Sequence, residues 1–346
     1  MLRKWLAIGI ILVFLGTYII PTNAKDSIES LPASRGGWLY VGGSGPGNYT
    51  RIQDAIDAAS DGDTVFVYTY SSPYVENIQI NVSLRIIGEN RSTTTITGHK
   101  RNAAVIIYSS NVTISGFTIT NPYGGDGIWV LGDHATIQGN IIMDAAIYGI
   151  RVGVNNLLIC ANSTLIQDNI ISNNSNHGIE LVSCDSIVRG NILSNNDCGI
   201  SIYYGQRNSI LTNQLSWNYG GAISISWGGR KNLIQDNTIF NNTYGVVMGG
   251  GPWNRILANN IYDAPYMFSE TIRILYLEGD LRNIWDGNYW GRSYTKPKPI
   301  PAYILLDFLT MWYYYIHHDF KEFYVTINGG YDFHPAQKPY DNPGMS

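Results

Sequence analysis

The sequence predicts an all-β chain wound as a right-handed parallel β-helix, a solenoid of about 22–24 residues per coil. Two observations lead there. Seven segments repeat the pattern apolar-x-x-Asn-x-apolar, with Phe in place of Asn in the first, centred on residues 117, 140, 169, 191, 213, 237 and 259. Their intervals are 23, 29, 22, 22, 24 and 22, and a near-fixed period of this size means stacked structural repeats. Eight to ten residues after each Asn comes a second pattern, Gly127-Ile-Trp-Val130, Gly149-Ile-Arg-Val152, Gly178-Ile-Glu-Leu181, Gly199-Ile-Ser-Ile202 and Gly245-Val-Val-Met248. One rung is looser, Gly221-Ala-Ile-Ser-Ile225. Both patterns alternate apolar and other residues, which is strand periodicity, and β-branched residues fill the inward positions. Each rung therefore reads as strand, turn, strand, turn, stacked at about 4.8 Å.

The elements follow in order. Arg3 and Lys4 precede the apolar run Trp5–Ile20, and Thr22-Asn-Ala24 offers a small-residue cleavage site. Residues 1–24 are expected to be a signal peptide, with an uncleaved N-terminal anchor as the alternative, so the chain is expected to act as an extracytoplasmic, secreted or cell-surface protein. Residues 25–36 form a linker, and 37–292 the β-helix. A solenoid needs capped ends. Near 50–60, Thr50-Arg-Ile-Gln53 resembles a capping box, and Ile52, Ala55, Ile56 and Ala59 make one apolar helical face. Thr64–Tyr68 is the first coil strand. The Asn column is expected to form an internal amide ladder beginning at Asn140, because Phe117 stands in the first repeat. The 29-residue step implies an inserted loop within 153–163. After Tyr294 the period breaks, and 293–346 reads as a non-repeating, aromatic cap or tail.

Composition narrows the partners. The net charge is −4 with 14% charged residues, which argues against nucleic acid, whose binders carry basic stripes. N-x-Ser/Thr sequons lie at Asn48, Asn81, Asn90, Asn111, Asn162, Asn173 and Asn241, acceptors only in a host that glycosylates. Of three cysteines, Cys160 and Cys184 stand where neighbouring rungs could join them by a disulfide; buried thiols are the alternative, and Cys198 is left over.

Several segments resemble a known family. Tyr49–Ala59 followed by Gly62-Asp-Thr-Val65 looks like the opening of pectate-lyase-like right-handed β-helix proteins. Tyr74–Ile78, Ser83–Glu89 and Asn283–Gly291 resemble the NosD-type subgroup, the periplasmic copper-binding protein-like members. The resemblance spans roughly 37–292 and includes Asp332–Ala336. It implies the fold. It does not choose among lyases, hydrolases, carbohydrate binders and copper-associated accessory proteins.

The chemistry expected from the residues is binding. There is no Asp-Asp pair, the Gly-His-Gly signature of the hydrolases is half matched by Asn176-His-Gly178, and no acid/base pair can be named. Were the chain an enzyme, it would be a polysaccharide lyase or glycoside hydrolase. Parallel stacking places Asp126, Trp129, Arg151, His177 and Glu180 on one outward face, with Tyr148 and Cys198 in the same columns. An Arg151–Glu180 pair on a solvated face is the plainer reading. The functional one is a sugar-binding groove walled by the 153–163 loop, whose partner is a carbohydrate or cell-envelope polymer. Tyr203, Tyr204, Trp217, Tyr219, Trp227 and Trp253 add aromatics to later rungs. No cofactor is expected. Copper or calcium stays open, with His177, Cys198 and the His317-His-Asp319 cluster as the donors in view.

Overall fold

The computed structural model describes residues 36–154, 161–249, 251–262, 272–274, 283–291, 296, 298–305, 324–332 and 334–341. The signal or anchor segment, the linker up to residue 35, Cys160 with its disulfide, and His317–Asp319 lie outside them. So do residues 155–160 of the inserted loop.

Parallel strands stack into three sheets of 14, 8 and 9 strands, and the coil is right-handed. Each coil therefore has three strands, where the sequence pattern suggested two. The repeat Ile137-Gln-Gly-Asn-Ile-Ile142 is split by a bend at Gly139-Asn140. Thr136–Gln138 belongs to the first sheet and Ile141–Met143 to the second. The Gly-Ile-x-Val segment, for example Ile150–Val152, supplies the third. Three short strands bury one apolar residue or two each, which period-2 counting cannot separate from one bent strand.

Register is maintained from coil to coil. Ile137 pairs with Ile166, Ile166 with Val188, and Val188 with Ile210. Ile142, Ile171 and Leu193 align in the second sheet, and Ile128, Ile150, Ile179 and Ile200 in the third. All eleven are 0% exposed. The glycines before the third-sheet strands are sterically required. A Cβ on Gly149 would lie 2.6 Å from the Gly178 carbonyl oxygen and 3.0 Å from Ile171.

All three corners of the coil carry amide ladders. The expected one starts at Asn140, whose Oδ1 accepts from Phe117 N at 3.1 Å. It runs through Asn169, Asn191, Asn213, Asn237 and Asn259 to Asn288. The second comprises Asn174, Asn196, Asn218 and Asn242. The third is Asn208, Asn232, Asn254 and Asn283. In most of these steps both N and Nδ2 of one Asn donate to Oδ1 of the next, as Asn191 does to Asn213 at 3.0 Å. Corner residues before the ladder positions are left-handed, among them Asp168, Asn173 and Lys231 with φ of 56, 57 and 58, a conformation Asn and Asp tolerate best.

The cap helix is Ile52–Ala58 with Arg51 at the N-cap. No side chain within the segment caps it, so the capping box expected from Thr50 and Gln53 is not formed. Glu76, 5% exposed, reaches in from 24 residues away instead. Its carboxylate accepts from Ile52 N at 2.9 Å and Gln53 N at 3.1 Å. A carboxylate also suits the positive end of a helix. At the other end Lys298–Leu305 pairs antiparallel with Tyr324–Asp332, whose Asp332 pairs with Trp285. Asp332 is fully buried and accepts from Asn288 N and Nδ2 and from Trp290 Nε1.

Candidate functional site

The expected face lies on the outside of the third sheet. Trp129 pairs with Arg151 and Arg151 with Glu180. His177 pairs with Cys198, and Glu180 with Ser201. The five residues are therefore brought together, but the surface they form is packed. Asp126 is 6% exposed and Glu180 2%. The Arg151 guanidinium sits 5.1 Å from the Trp129 ring centroid and 5.6 Å from that of Tyr148. Trp129 Nε1 donates to Gly153 O at 3.0 Å.

The Arg151–Glu180 ion pair is absent. Glu180 instead bonds His177, with Nδ1 to Oε2 at 2.6 Å. Arg151 Nε is buried and has no hydrogen-bond partner. The Trp129 and Tyr148 rings hold the guanidinium instead. Burial lifts the Asp126 carboxyl to about 6, with the Tyr148 N–H and Arg151 drawing it back down and Glu180 pushing it up. Burial likewise raises the Tyr148 phenol, and Glu180 adds to the effect.

Open space begins where this cluster ends. A cavity of about 300 Å³ lies over the next coils of the same sheet. His177, Tyr203, Tyr244 and Val247 stand at its sides, and Ser201, Gly220, Gly221, Ser224 and Ser226 line its floor, with Cys198 beside His177. Of the five residues expected to form the groove only His177 lines it, joined by Cys198 and Tyr203, which the sequence placed nearby. Ser224, Ser226, Tyr244 and Val247 were not anticipated. Their signal was the looser rung, where Gly221-Ala-Ile-Ser-Ile-Ser226 alternates small outward residues with buried Ile223 and Ile225.

Aromatics flank that rung at both ends of its strand, and of these Tyr203 lines the cavity. Trp217 and Tyr219 precede the strand and are 54% and 73% exposed. At the far end Tyr203, Tyr204 and Trp227 cluster, with Tyr203 4.9 Å from Tyr204 and 6.1 Å from Trp227 between ring centroids. Of the inserted loop, Gly153 contacts Trp129 through its carbonyl. Whether the loop walls the site falls on residues 155–160, outside those described.

Among the described residues, the donors at this face do not fit copper. Copper sites use several imidazole, thiolate or thioether donors. Here the His177 Nδ1 is taken by Glu180. Burial pushes the Cys198 thiol up to about 12, and its Sγ donates to Ile200 O. Among the described residues no three His, Cys, Asp or Glu side chains converge on a point. The sequon asparagines are all at least partly exposed, unlike the ladder asparagines beside them.

Comparison with known proteins agrees with the architecture. Among solved structures, the mannuronan C-5 epimerase AlgE4 A-module of Azotobacter vinelandii matches with a TM-score of 0.53 and 17% identity, over 72% of this chain and 88% of that one. The Dettilon tailspike protein (gp208) matches with a TM-score of 0.50 and 14% identity, over 69% of this chain. The match spans 58% of the tailspike's length. At these identities the likeness is one of fold. No curated protein matches. The profile described as "Periplasmic copper-binding protein (NosD)" matches residues 56–295, most of the chain and nearly all of the coil. A three-sided parallel coil with this repeat, matched over that length, belongs to the NosD family.

Proposed function

We propose that the protein acts outside the cytoplasm as a non-catalytic carbohydrate-binding rod, and that the third-sheet cavity is where the sugar binds. The periplasmic character of the family supports the location. One observation carries the binding reading, namely an open cavity of about 300 Å³ floored by serines and glycines and edged by tyrosines. Binding sites combine apolar walls with a few placed polar groups. Hydroxyls on the floor match hydroxyls on a sugar, and aromatic rings offer flat apolar faces. Ser224→Phe fills the floor without touching the interior. A glycan array should show binding by the parent and none by this variant, with equal thermal melts. A parent that binds no glycan sinks the reading.

A catalytic reading has one observation behind it. His177, oriented by the buried Glu180 through a 2.6 Å bond, faces the cavity as a general base would. Incubation with acidic polysaccharides, followed for unsaturated products and new reducing ends, separates the two readings.

A further inference from the structure

The geometry points to more than a pocket. We infer that an uncharged glycan chain lies across the rod, along the strand Gly221–Ser226, with sugar rings stacked on Trp217 at one end and Trp227 at the other. This rests on the carbohydrate-binding reading and adds the direction of the chain, its charge class and its terminal subsites.

Backbone strain is the first observation. At the corner between second and third sheets the left-handed residues are Asp144, Asn173, Asn195, Trp217 and Asn241. Four are the small polar types that tolerate this conformation, and the fifth is tryptophan with φ of 58. At the exit from the third sheet the left-handed residues include Gly153, Tyr204, Trp227, Gly228 and Gly251, with φ of 50 at Trp227. A bulky side chain in this region is an outlier, and such strain clusters where function needs it. The two tryptophans lie at opposite ends of a single coil. Both are about half exposed, at 54% and 50%.

From Gly220 to Ser226 the outward positions are stripped of bulk. Gly220, Gly221, Ser224 and Ser226 form the floor. Gly221 holds the outward place that Tyr148, His177 and Cys198 hold in earlier coils, and Tyr244 in the next. A Cβ there would stand 3.3 Å from Val247. Walls rise along both long sides, with His177 and Tyr203 toward the N-terminus and Tyr244 and Val247 toward the C-terminus. The trough therefore runs with the strand and across the rod. Six residues of strand span roughly 20 Å, which accommodates several linked sugars.

Charge sets the class of ligand. The trough lining contains no Lys, Arg, Asp or Glu. Arg151 lies beyond its wall, two coils before Ser201 in the same outward column and clasped by Trp129 and Tyr148. A polymer carrying a carboxylate on each sugar would find no cation to receive it. A neutral chain needs only hydroxyl partners and ring faces.

The test is calorimetric titration of the full-length chain with cello-, manno- and xylo-oligosaccharides of two and six sugars, and with hexagalacturonate. At least one neutral hexamer should bind, at least tenfold tighter than its dimer and tighter than hexagalacturonate. Trp217→Asn and Trp227→Asn should each weaken the hexamer at least tenfold. Trp217→Asn should melt no lower than the parent, because Asn suits the left-handed corner, whereas Trp227→Asn also gives up ring contact with Tyr203 and Tyr204. A clear fall in the melting temperature of Trp217→Asn would make that indole a packing residue and overturn the inference. Hexamer binding at parental strength in both variants would also overturn it, as would preference for hexagalacturonate. In those cases loss of binding by Ser224→Phe keeps the cavity reading intact. Absence of all glycan binding by the parent removes both.

Discussion

The third sheet has two halves built on one backbone register. In the earlier coils Trp129, Tyr148, Arg151, His177 and Glu180 fill the outward positions and close over one another. In the later coils the same columns hold Ser201, Gly221 and Ser224, and the surface opens into a trough. Strand spacing, inward isoleucines and corner ladders are shared. Side-chain volume alone decides which half is wall and which is cavity. A row of chemically rich residues is thus poor evidence of an open site when each can satisfy its neighbour.

The largest effect should come from breaking what the halves share. Asn191 accepts from Asn169 N and Nδ2 and donates to Asn213 and Ile166 O. Asn191→Leu strands several buried partners, at about 1–3 kcal/mol each. Its denaturation midpoint should fall further than that of any surface variant named here. An unchanged midpoint would mean the ladder contributes nothing net.

Next comes pH, which acts on the closed half. The Asp126 carboxyl is lifted from 3.8 to about 6 in the folded state. The folded protein then holds a proton that the unfolded chain has released, so this group's stabilising effect is greatest below pH 4. It is lost as pH rises through 6 and stays lost above. A shift of about two units corresponds to about 3 kcal/mol at most. Asp126→Asn keeps the acceptor for Tyr148 N and should melt higher than the parent at pH 7, with the gap closing below pH 4. Urea midpoints at both pH values check this, and a gap that persists below pH 4 contradicts it.

Smaller again is the cost of opening the wall. Trp129→Ala uncovers Arg151 and loses the bond to Gly153 O. Glu180→Ala strands His177 in a half-buried site. Each should lower stability by about 1–3 kcal/mol. The sequence placed Glu180 on an outward face, and its burial at 2% exposure is why its loss should be felt in the melt. The smallest effect belongs to the exposed Arg207–Asp185 pair, joined at 2.8 Å. Solvent screens it, and Arg207→Ala should leave the melt where it was. A measurable drop would show that surface pairs matter more on this rod than on compact domains.

Much of this was legible in the residues. Asn140 could be named as the first rung of its ladder because Phe117 broke the column. The alignment of Trp129, Arg151 and Glu180 followed from equal spacing after each glycine. The other two ladders were less visible, since Asn174 and Asn196 follow other asparagines that read as plain turn residues. Their burial depends on a left-handed residue in front of them, which sequence does not display. Glu76 capping a helix 24 residues earlier is a contact across coils, and local pattern could not find it. The trough was hardest, because it is defined by what Gly221 and Ser224 lack. Attention to charged and aromatic residues led to the wall beside it.

The amide columns have one more consequence. Between successive asparagines of the first column each amide donates to its C-terminal neighbour and none the other way, while Nδ2 also reaches back to a carbonyl of the preceding coil. Their dipoles add as peptide dipoles do in a helix. The rod interior is therefore vectorial, with its bare donors facing the C-terminal end, where the Asp332 carboxylate receives the last of them. Evolution or design could lengthen such a rod by inserting coils in the middle, where each new asparagine finds a neighbour on both sides. It could not append them after Asp332, which offers the next coil no donor.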